Sequence, residues 1–272
     1  MSRFFKFMNN FRKVALGTTL VATGFGVNTL LCQAPQNMNK DYLKFFTERE
    51  MNDLRKRYPQ LTVLQNNQTQ LIFSKIRNKD TPTAEFRHHA DRIMRLLIET
   101  ALNEQEIQVT KRETPCSYYD SSELKNPTDF VAVTIMRAGN SFLHELLRIM
   151  PDIDVGQILL QRDETTKEKR PILYYTKLPK KIQGRKVLLF DPMIATGGSV
   201  IKGIEELIKV GVQEQDITFV NLIACEKGIK KVLDLYPRIK IITGSIDPLL
   251  LEDSKYIAPG LGDFGDRYFG TN

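Results

Sequence analysis

The fold of this chain is decided by KVLLFDPMIATGGSVIKGIEELIKV, which occupies residues 186–210. The apolar run at 187–190 predicts a buried strand, and the apolar spacing over 200–210 predicts an amphipathic helix. Between them, Asp191 ends the strand and a glycine-rich loop begins. In a parallel α/β sheet such a loop lies at the carboxyl end of a strand, which is where ligands bind. The segment therefore predicts a strand, a ligand-binding loop and a helix in succession.

The loop has the chemistry of a phosphate site. Gly197 and Gly198 let backbone N–H groups turn inward. The hydroxyls of Thr196 and Ser199 add donors, and the following helix directs its positive end at the same point. A Walker A loop carries lysine directly before Ser or Thr, and glycine stands there in this chain, which excludes a P-loop kinase. Asp191 has the chemistry to accept hydrogen bonds from sugar hydroxyls or to help order a magnesium ion. The alternative is a glycine-rich turn in which Asp191 only caps a helix.

Helices and apolar strands alternate through the rest of the chain. Further strands are predicted at 130–136, 158–161, 172–176, 217–224 and 239–243, and further helices at 84–103 and 141–150. Near-continuous apolar strands that alternate with helices indicate a parallel sheet covered on both faces. The sequence shows no internal repeat here, so we predict a single α/β domain over residues 41–272.

The longest helical pattern predicts which side of a helix is buried. Over 84–103, just after Pro82, apolar positions recur at helical spacing and charged residues occupy the other side. The predicted buried positions are Phe86, Ala90, Ile93, Met94, Leu97 and Ala101. The three histidines also fall on predicted helices outside the loop, so structural roles rather than catalytic ones are predicted for His88, His89 and His144.

Composition and charge limit the function classes. Hydrophobic residues make up 42% and charged residues 26% of the 272 residues, which excludes a disordered or fibrous chain. The net charge is +7, but five cations and no acids lie in residues 1–40. The remainder is therefore close to neutral and gives no indication of a nucleic-acid partner. Three widely spaced cysteines argue against a disulfide framework and a CxxC metal site, and indicate a reducing compartment.

Residues 1–40 are predicted to be an N-terminal extension of the domain. They begin with a basic, Phe-rich segment, and the uncharged stretch over 14–31 has about the length that crosses a bilayer. Threonines and glycines dilute its apolar character, and no clean cleavage signal follows. A mitochondrial leader, a membrane anchor and an unstructured extension stay open. We predict a cytoplasmic catalytic domain, with a mitochondrial or membrane-anchored location as the alternatives set by residues 1–31.

Four short motifs carry a family resemblance. They are IMRAG at residues 135–139, QRDETT at 161–166, DPMIATGGS at 191–199 and PGLGDFGDRYFGT at 259–271. In that order they resemble the arginine loop, the second arginine segment, the phosphoribosyl pyrophosphate (PRPP) loop and the C-terminal uracil-binding signature of the uracil phosphoribosyltransferases. The last is the most specific of the four. The resemblance implies a type I phosphoribosyltransferase fold with a small C-terminal base-binding hood.

The resemblance also implies which residues bind each substrate. PRPP is implied to contact Arg137, Arg162, Asp191, Pro192, Met193, Ile194, Ala195, Thr196, Gly197, Gly198, Ser199 and Asp263. Uracil is implied to contact Ile257, Gly262, Asp263 and Phe264. The residues implied to act in catalysis are Arg137, Asp191 and Asp263.

The residue chemistry agrees with these roles. Arg137 follows a predicted strand, and a guanidinium can grip a pyrophosphate bidentately. The charged segment RDETTKEKR at 162–170 has the composition of a lid over a polyphosphate, or of a solvated charge run. Uracil presents an acceptor, a donor and an acceptor, and the glycines within 259–262 let a main chain approach closely enough to read them.

The implied reaction joins uracil and PRPP to give UMP and pyrophosphate in pyrimidine salvage. Mg²⁺ is implied to arrive with PRPP, with no direct metal ligand from the protein. The resemblance further implies a homodimer or homotetramer, and GTP as an activator bound near Arg92, although Thr83 stands where a GTP-responsive relative has lysine. Two alternatives stay open: a phosphoribosyltransferase for another base, such as orotate, xanthine or hypoxanthine, and a non-catalytic nucleotide-binding regulatory homologue.

Overall fold

The computed structural model describes residues 44–162 and 171–271. Its strands are β1 (Leu61–Val63), β2 (Ile107–Glu113), β3 (Tyr118–Leu124), β4 (Phe130–Met136), β5 (Asp154–Arg162), β6 (Pro171–Lys177), β7 (Lys186–Phe190), β8 (Met193–Ile194), β9 (Ile217–Cys225), β10 (Lys240–Asp247), β11 (Leu249–Leu250) and β12 (Ile257–Ala258). Its α-helices are α1 (Glu48–Arg57), α2 (Asn67–Arg77), α3 (Thr83–Asn103), α4 (Leu143–Ile149), α5 (Gly198–Lys209), α6 (Glu226–Leu235) and α7 (Phe264–Phe269). The predicted N-terminal extension and residues 163–170 of the predicted lid lie outside the described residues.

The central sheet is mainly parallel, as predicted. Its order is β1, β10, β9, β7, β4, β5 and β6, and β8 pairs with β9 beyond the end of β7. The exception is β6, which is antiparallel to β5. The short connection from Arg162 to Pro171 suits a hairpin and cannot hold a crossover, which requires a dozen or more residues.

Both faces of the sheet are buried. Side chains alternate along each strand, so successive apolar residues pack against the helices on opposite faces. In β4, Val131, Val133 and Ile135 pack in one apolar cluster with α1, α5 and α6. Phe130 and Ala132 point the other way, into a second cluster with α2, α3, α4 and α7. The predicted arrangement of helices on both faces of one sheet is confirmed.

The predicted long helix is α3, and its buried face is the predicted one. All six apolar positions named above are fully shielded from solvent. The helix begins one residue earlier than predicted, at Thr83, with Pro82 as its N-cap. The helix predicted at 141–150 is divided instead into a 3-10 turn, Ala138–Phe142, and α4. Within 44–162 and 171–271, no helix has the length and apolar character that a bilayer crossing needs.

Two small substructures were not predicted in detail. The β2–β3 hairpin is a two-stranded sheet apart from the central one. Near the C-terminus, β11 and β12 form another antiparallel pair, and α7 packs against α3. This C-terminal part occupies the place of the predicted hood.

Candidate active site

The glycine-rich loop is one continuous passage from β7 through β8 to α5. The carbonyl of Pro192 accepts hydrogen bonds from the backbone N–H groups of Leu222 (2.9 Å) and Ile223 (3.1 Å) in β9. Ile194 and Ala195 are buried in the two apolar clusters. The middle of the loop is therefore anchored to the sheet. The loop residues that stay partly exposed to solvent are Asp191, Met193, Thr196, Gly198 and Ser199.

The loop is also held from behind by a glycine that was not predicted. A β-carbon added at Gly228, in the first turn of α6, would collide with the carbonyl oxygen of Ala195. Conversely, a β-carbon on Gly197 would lie 3.0 Å from the carbonyl oxygen of Gly228. Gly197 also has φ = +78°, the left-handed region that favours glycine. The loop therefore rests on α6 through two glycine backbones.

The amino end of α5 is arranged for an anion. Its N-cap, Gly197, has no side chain with which to cap the first N–H groups of the helix. The hydroxyl of Thr196 accepts from the N–H of Gly198 at the long distance of 3.5 Å. A twelve-residue helix directs partial positive charge at this end. The sequence predicts a phosphate cradle at this helix end, and the cradle stays a prediction.

The arginine loop lies beside the phosphate loop. β4 and β7 are adjacent and parallel, and Thr134 pairs with Phe190, the residue before Asp191. Directly after β4, a β-carbon on Gly139 would collide with the carbonyl oxygen of Phe190. Only glycine permits this approach, which brings the turn after Arg137 against the residue that precedes the phosphate loop.

Arg137 joins the C-terminal tail to these loops. Its Nη2 donates to Asp266 Oδ1 (2.6 Å) and its Nη1 to the Thr271 hydroxyl (3.1 Å). Hydrogen bonds from the Thr271 hydroxyl and from Arg137 lower the pKa of the Asp266 carboxyl below its ordinary value of 3.8. A lowered pKa means that this contact stabilises the fold at neutral pH and is lost only as the pH falls through that lowered value.

Asp263 lies at the same junction. A β-carbon on Gly265 would lie 3.0 Å from Arg137 Nη2 and 3.4 Å from Asp263 Oδ1, so both side chains border this glycine. Asp263 Oδ1 accepts from the N–H of Asp266 (2.9 Å) and caps α7. Two of the three residues implied in catalysis are therefore neighbours in space although they are far apart in sequence.

The predicted uracil-binding residues surround a stretch of main chain in which two glycines are left-handed. Ile257 is buried in β12, and Gly260 and Gly262 have φ of +63° and +81°. Phe264 is 2% exposed, and its ring lies 5.5 Å from the rings of both Phe86 and Tyr268. Since its ring is part of the core, Phe264 has only its backbone to offer a ligand.

The main chain of Arg162 is placed next to the phosphate loop. Arg162 ends β5 opposite Pro171. Pro171 Cδ lies 3.5 Å from the β-carbon position of Gly198. The β5–β6 pair therefore ends beside the amino end of α5, at the same edge of the sheet as Arg137 and the tail.

A family model places this geometry among known proteins: the model described as uracil phosphoribosyltransferase matches residues 63–271. The chain belongs to the uracil phosphoribosyltransferase family. The matched region includes all four motifs on which the resemblance was based, and these are the arginine loop, the end of β5, the phosphate loop and the tail that the fold brings to one edge.

Individual relatives agree with the family match. The chain is 45% identical to uracil phosphoribosyltransferase of Dictyostelium discoideum, over 79% of this chain and 98% of that one. It is 43% identical to uracil phosphoribosyltransferase of Saccharomyces cerevisiae, over 75% of this chain and 93% of that one. A solved protein from Aquifex aeolicus superposes with a TM-score of 0.69 and 28% identity, over 78% and 99% of the two chains. The predicted type I phosphoribosyltransferase fold and the assignment to glycosyltransferase-type enzymes are confirmed.

The residue implied to bind GTP is on the long helix α3. Arg92 lies on the exposed face of α3, with its Nη1 3.2 Å from His89 Nδ1. His88 and His89 are on α3 and His144 is on α4, as predicted. Among the described residues, the contacts found for these four side chains lie on α3 and α4 of this uracil phosphoribosyltransferase family member.

Two tail anchors were missed by the sequence reasoning. Arg267 donates from Nη1 to the carbonyls of Ile76 and Leu261 (both 2.6 Å). Burial lowers its pKa, and its guanidinium lies 4.3 Å from the centre of the Phe86 ring. The Tyr268 hydroxyl donates to Asp91 (2.6 Å), and burial raises the pKa of this tyrosine. Arg267 and Tyr268 belong to the recognised motif, but their spacing in the sequence does not predict which distant residues they bind.

Proposed function

We propose that the chain transfers the phosphoribosyl group of PRPP to N1 of uracil, giving UMP and pyrophosphate in pyrimidine salvage. The observation that carries the proposal is the junction at Arg137. Its loop rests, through Gly139, on Phe190, the residue that precedes the phosphate loop, and its guanidinium is bonded to the tail through Asp266. A phosphate site, a guanidinium and the base-binding tail therefore meet at one edge of the sheet.

The phosphate loop binds the ribose 5′-phosphate in this proposal. The amides at the start of α5 and the hydroxyls of Thr196 and Ser199 supply the donors. Asp191, at the end of β7, accepts hydrogen bonds from the ribose hydroxyls. The ribose is thereby held with its anomeric carbon directed towards the tail, which lowers the entropic part of the barrier.

The pyrophosphate end is assigned to Arg137 and Arg162. As the bond from C1′ to the pyrophosphate oxygen breaks and the bond to N1 forms, positive charge develops on the ribose and negative charge on the leaving group. Two guanidinium groups stabilise that leaving anion. The N1 proton is released, and we assign no side chain to take it.

We propose that Mg²⁺ reaches this edge together with PRPP. Within the parts of the chain that are described, no three His, Cys, Asp or Glu side chains lie close enough to hold a metal ion. The carboxylates that the resemblance implies to contact PRPP are those of Asp191 and Asp263. When bound, Mg²⁺ supplies charge neutralisation at the diphosphate, and these two side chains would orient the hydrated ion.

The tail reads the base through its main chain. Uracil O2, N3–H and O4 match a carbonyl flanked by N–H groups, and the positions proposed to supply them are Ile257, Gly262, Asp263 and Phe264. A cytosine places a donor where O4 stands, which leaves a buried main-chain donor unpaired. The proposed selectivity for uracil follows from that mismatch.

A product assay tests the function. Purified protein with uracil, PRPP and Mg²⁺ is expected to form UMP. Cytosine in place of uracil is expected to react at least about 10²-fold more slowly, because it leaves a buried main-chain donor unpaired. Orotate, xanthine and hypoxanthine are also expected to react more slowly, because they add a carboxylate or a second ring that uracil lacks. Faster product from another base would assign that base instead. No product, together with tight UMP binding, would favour the regulatory homologue.

We also propose a second copy of the chain as partner, on the evidence of the β2–β3 hairpin. Ile107, Val109 and Tyr118 share one face of it and are 61%, 65% and 71% exposed. The same face also carries the paired residues Lys111 and Asp120, between Val109 and Tyr118. A lone two-stranded hairpin is marginally stable in water, and large exposed apolar side chains on such a face indicate an interaction surface. A homodimer or homotetramer would cover this face.

Val109→Glu is therefore expected to lower the molar mass measured by light scattering, because it replaces the exposed apolar side chain next to Ile107 with a charged one. Gln108→Glu is the matched control, since it adds the same charge to the opposite face of the same strand. A wild-type monomer, or equal masses for the two variants, would contradict the proposal.

GTP activation is a separate proposal, supported by the resemblance and by the exposure of Arg92. If GTP binds there, Arg92→Ala is expected to abolish any GTP-dependent rise in rate or mass while the rate without GTP is retained. Lack of any effect of GTP on the wild-type rate and mass would end this proposal.

A further inference from the structure

A buried ion pair lies behind the base-binding tail and outside all four motifs. Arg77 is the last residue of α2, and Asp247 is the last residue of β10. The two side chains meet bidentately, Nη2 to Oδ1 at 2.6 Å and Nη1 to Oδ2 at 2.7 Å. The Asp247 side chain is 0% exposed and that of Arg77 14%. Removing one partner of such a pair leaves a charge uncompensated.

This pair grips a single glycine of the tail. The N–H of Gly260 donates to Asp247 Oδ2 (2.7 Å), and Arg77 Nη1 donates to the carbonyl of Gly260 (2.8 Å). Arg77 Nη2 also donates to the hydroxyl of Ser245 (3.0 Å). Both backbone groups of Gly260 are thus fixed by the ion pair.

The position of Gly260 makes this contact relevant to base binding. It stands between Ile257 and Gly262, two of the residues assigned to uracil. Its φ of +63° is in the left-handed region, and the free chain has many other conformations available at a glycine. A main chain that reads a base by hydrogen bonds must be held within roughly 0.5 Å of its working geometry. Something outside the glycine has to hold it.

We propose that Arg77, acting with Asp247, is a positioning residue that fixes the main chain of Gly260 and thereby sets the geometry of the uracil site. The inference rests on the proposed function. Arg77 acts on the base through Gly260, so its loss raises the KM for uracil. The KM for PRPP is far less affected, because the protein's phosphate loop is anchored separately by β9 and α6.

The surroundings of Arg77 permit a chemical rescue. It lines a cavity of about 420 Å³ together with Phe45 and Phe73, and the centres of both rings lie 5.0 Å from its guanidinium carbon. Truncation to alanine leaves a guanidinium-sized space that opens to this cavity. Free guanidinium can occupy that space and bond Asp247 and Gly260 as the side chain does.

The test compares wild type, Arg77→Ala and Arg77→Lys. In Arg77→Ala the KM for uracil is expected to rise about 10- to 100-fold, since a shift of about 1 Å can cost that much. The KM for PRPP is expected to stay within about threefold of wild type, because the phosphate loop has its own anchors. Guanidinium added to Arg77→Ala, below concentrations that unfold the protein, is expected to bring the KM for uracil most of the way back to the wild-type value. Arg77→Lys keeps the charge but not the bidentate fork, and is expected to show the same split in smaller measure.

Arg185→Ala is the matched control. Arg185 is 17% exposed, pairs with Asp154 (2.6 Å) and donates to the carbonyls of Thr128 (2.8 Å) and Phe130 (2.7 Å) at the amino ends of the strands. It is expected to lower the melting temperature without a guanidinium-reversible change in the uracil KM.

Two results would overturn the assignment of Arg77. One is an unchanged uracil KM in both Arg77 variants. The other is an equal rise of both KM values that guanidinium leaves in place. If Arg77→Ala does not fold, the split in Arg77→Lys decides. A wild-type protein that forms no UMP would instead overturn the proposed function, and that result is seen before any variant is compared.

Discussion

Arg137→Ala is expected to lower kcat/KM about 10²- to 10³-fold, which is the usual loss when a group that stabilises developing charge is removed. The structure gives the reason. Arg137 is the side chain that touches the tail at Asp266 and Thr271 while its loop rests on the residue before Asp191. Under the proposed function, its removal takes away a charge at the leaving group, and it breaks the bond from Arg137 to the tail.

Steady-state UMP formation and a melting curve measure this effect together. The side chain of Arg137 is 52% exposed, so its bond to Asp266 is worth about 1 kcal/mol of folding stability or less. Arg95→Ala is the matched control, since Arg95 is 53% exposed and also faces a carboxylate, that of Glu145 at 3.5 Å. The control is expected to retain wild-type activity. Equal activity of the two variants would show that Arg137 does not take part in the reaction.

Gly228→Ala is expected to reduce kcat/KM for PRPP about 10²-fold, although the residue lies outside the recognised motifs. An added β-carbon would collide with the carbonyl oxygen of Ala195 and lie 2.7 Å from Ile194 Cγ2. The obstacle is backbone, which cannot rotate away, so the phosphate loop or α6 must shift. A displacement of about 1 Å in a group that positions the substrate is enough for that loss.

Gly203→Ala provides the control for Gly228→Ala. Gly203 is in α5, and its added β-carbon would lie 3.0 Å from Ile135 Cδ1, the movable end of a side chain. Alanine also favours the helix by about 1 kcal/mol over glycine, which offsets the crowding. Kinetic constants and melting temperature are expected to stay close to wild type. If Gly228→Ala behaves in the same way, the contact between α6 and the loop does not position the phosphate site.

Local periodicity was enough to predict the elements that bury a regular face. The strand at 130–136 has the predicted bounds, and the six predicted positions of α3 are all buried. In both cases each residue's environment repeats every two or about 3.6 positions, so the pattern is written in adjacent residues. The passage from β7 through the glycine-rich loop to α5 was predictable for a similar reason, because its residues are consecutive along the chain.

Elements whose partners are distant in sequence were harder to predict from the sequence. The antiparallel direction of β6 follows from its short connection, which apolar content does not reveal. The β2–β3 hairpin has mostly exposed residues, so it lacks the buried run by which strands were recognised. The burial of Phe264 depends on Phe86, far away in the chain.

By itself the sequence determined the sheet with helices on both faces, the order of its motifs and the chemistry of each loop, because these depend on residues that are neighbours along the chain. Only the tertiary structure decided that Gly228 supports the phosphate loop, that Arg137 meets Asp266, and that Arg77 and Asp247 hold Gly260. Each of these contacts joins segments separated by many residues. Which residues meet in these contacts depends on how strands and helices pack in space, so it cannot be predicted from the spacing of neighbouring residues.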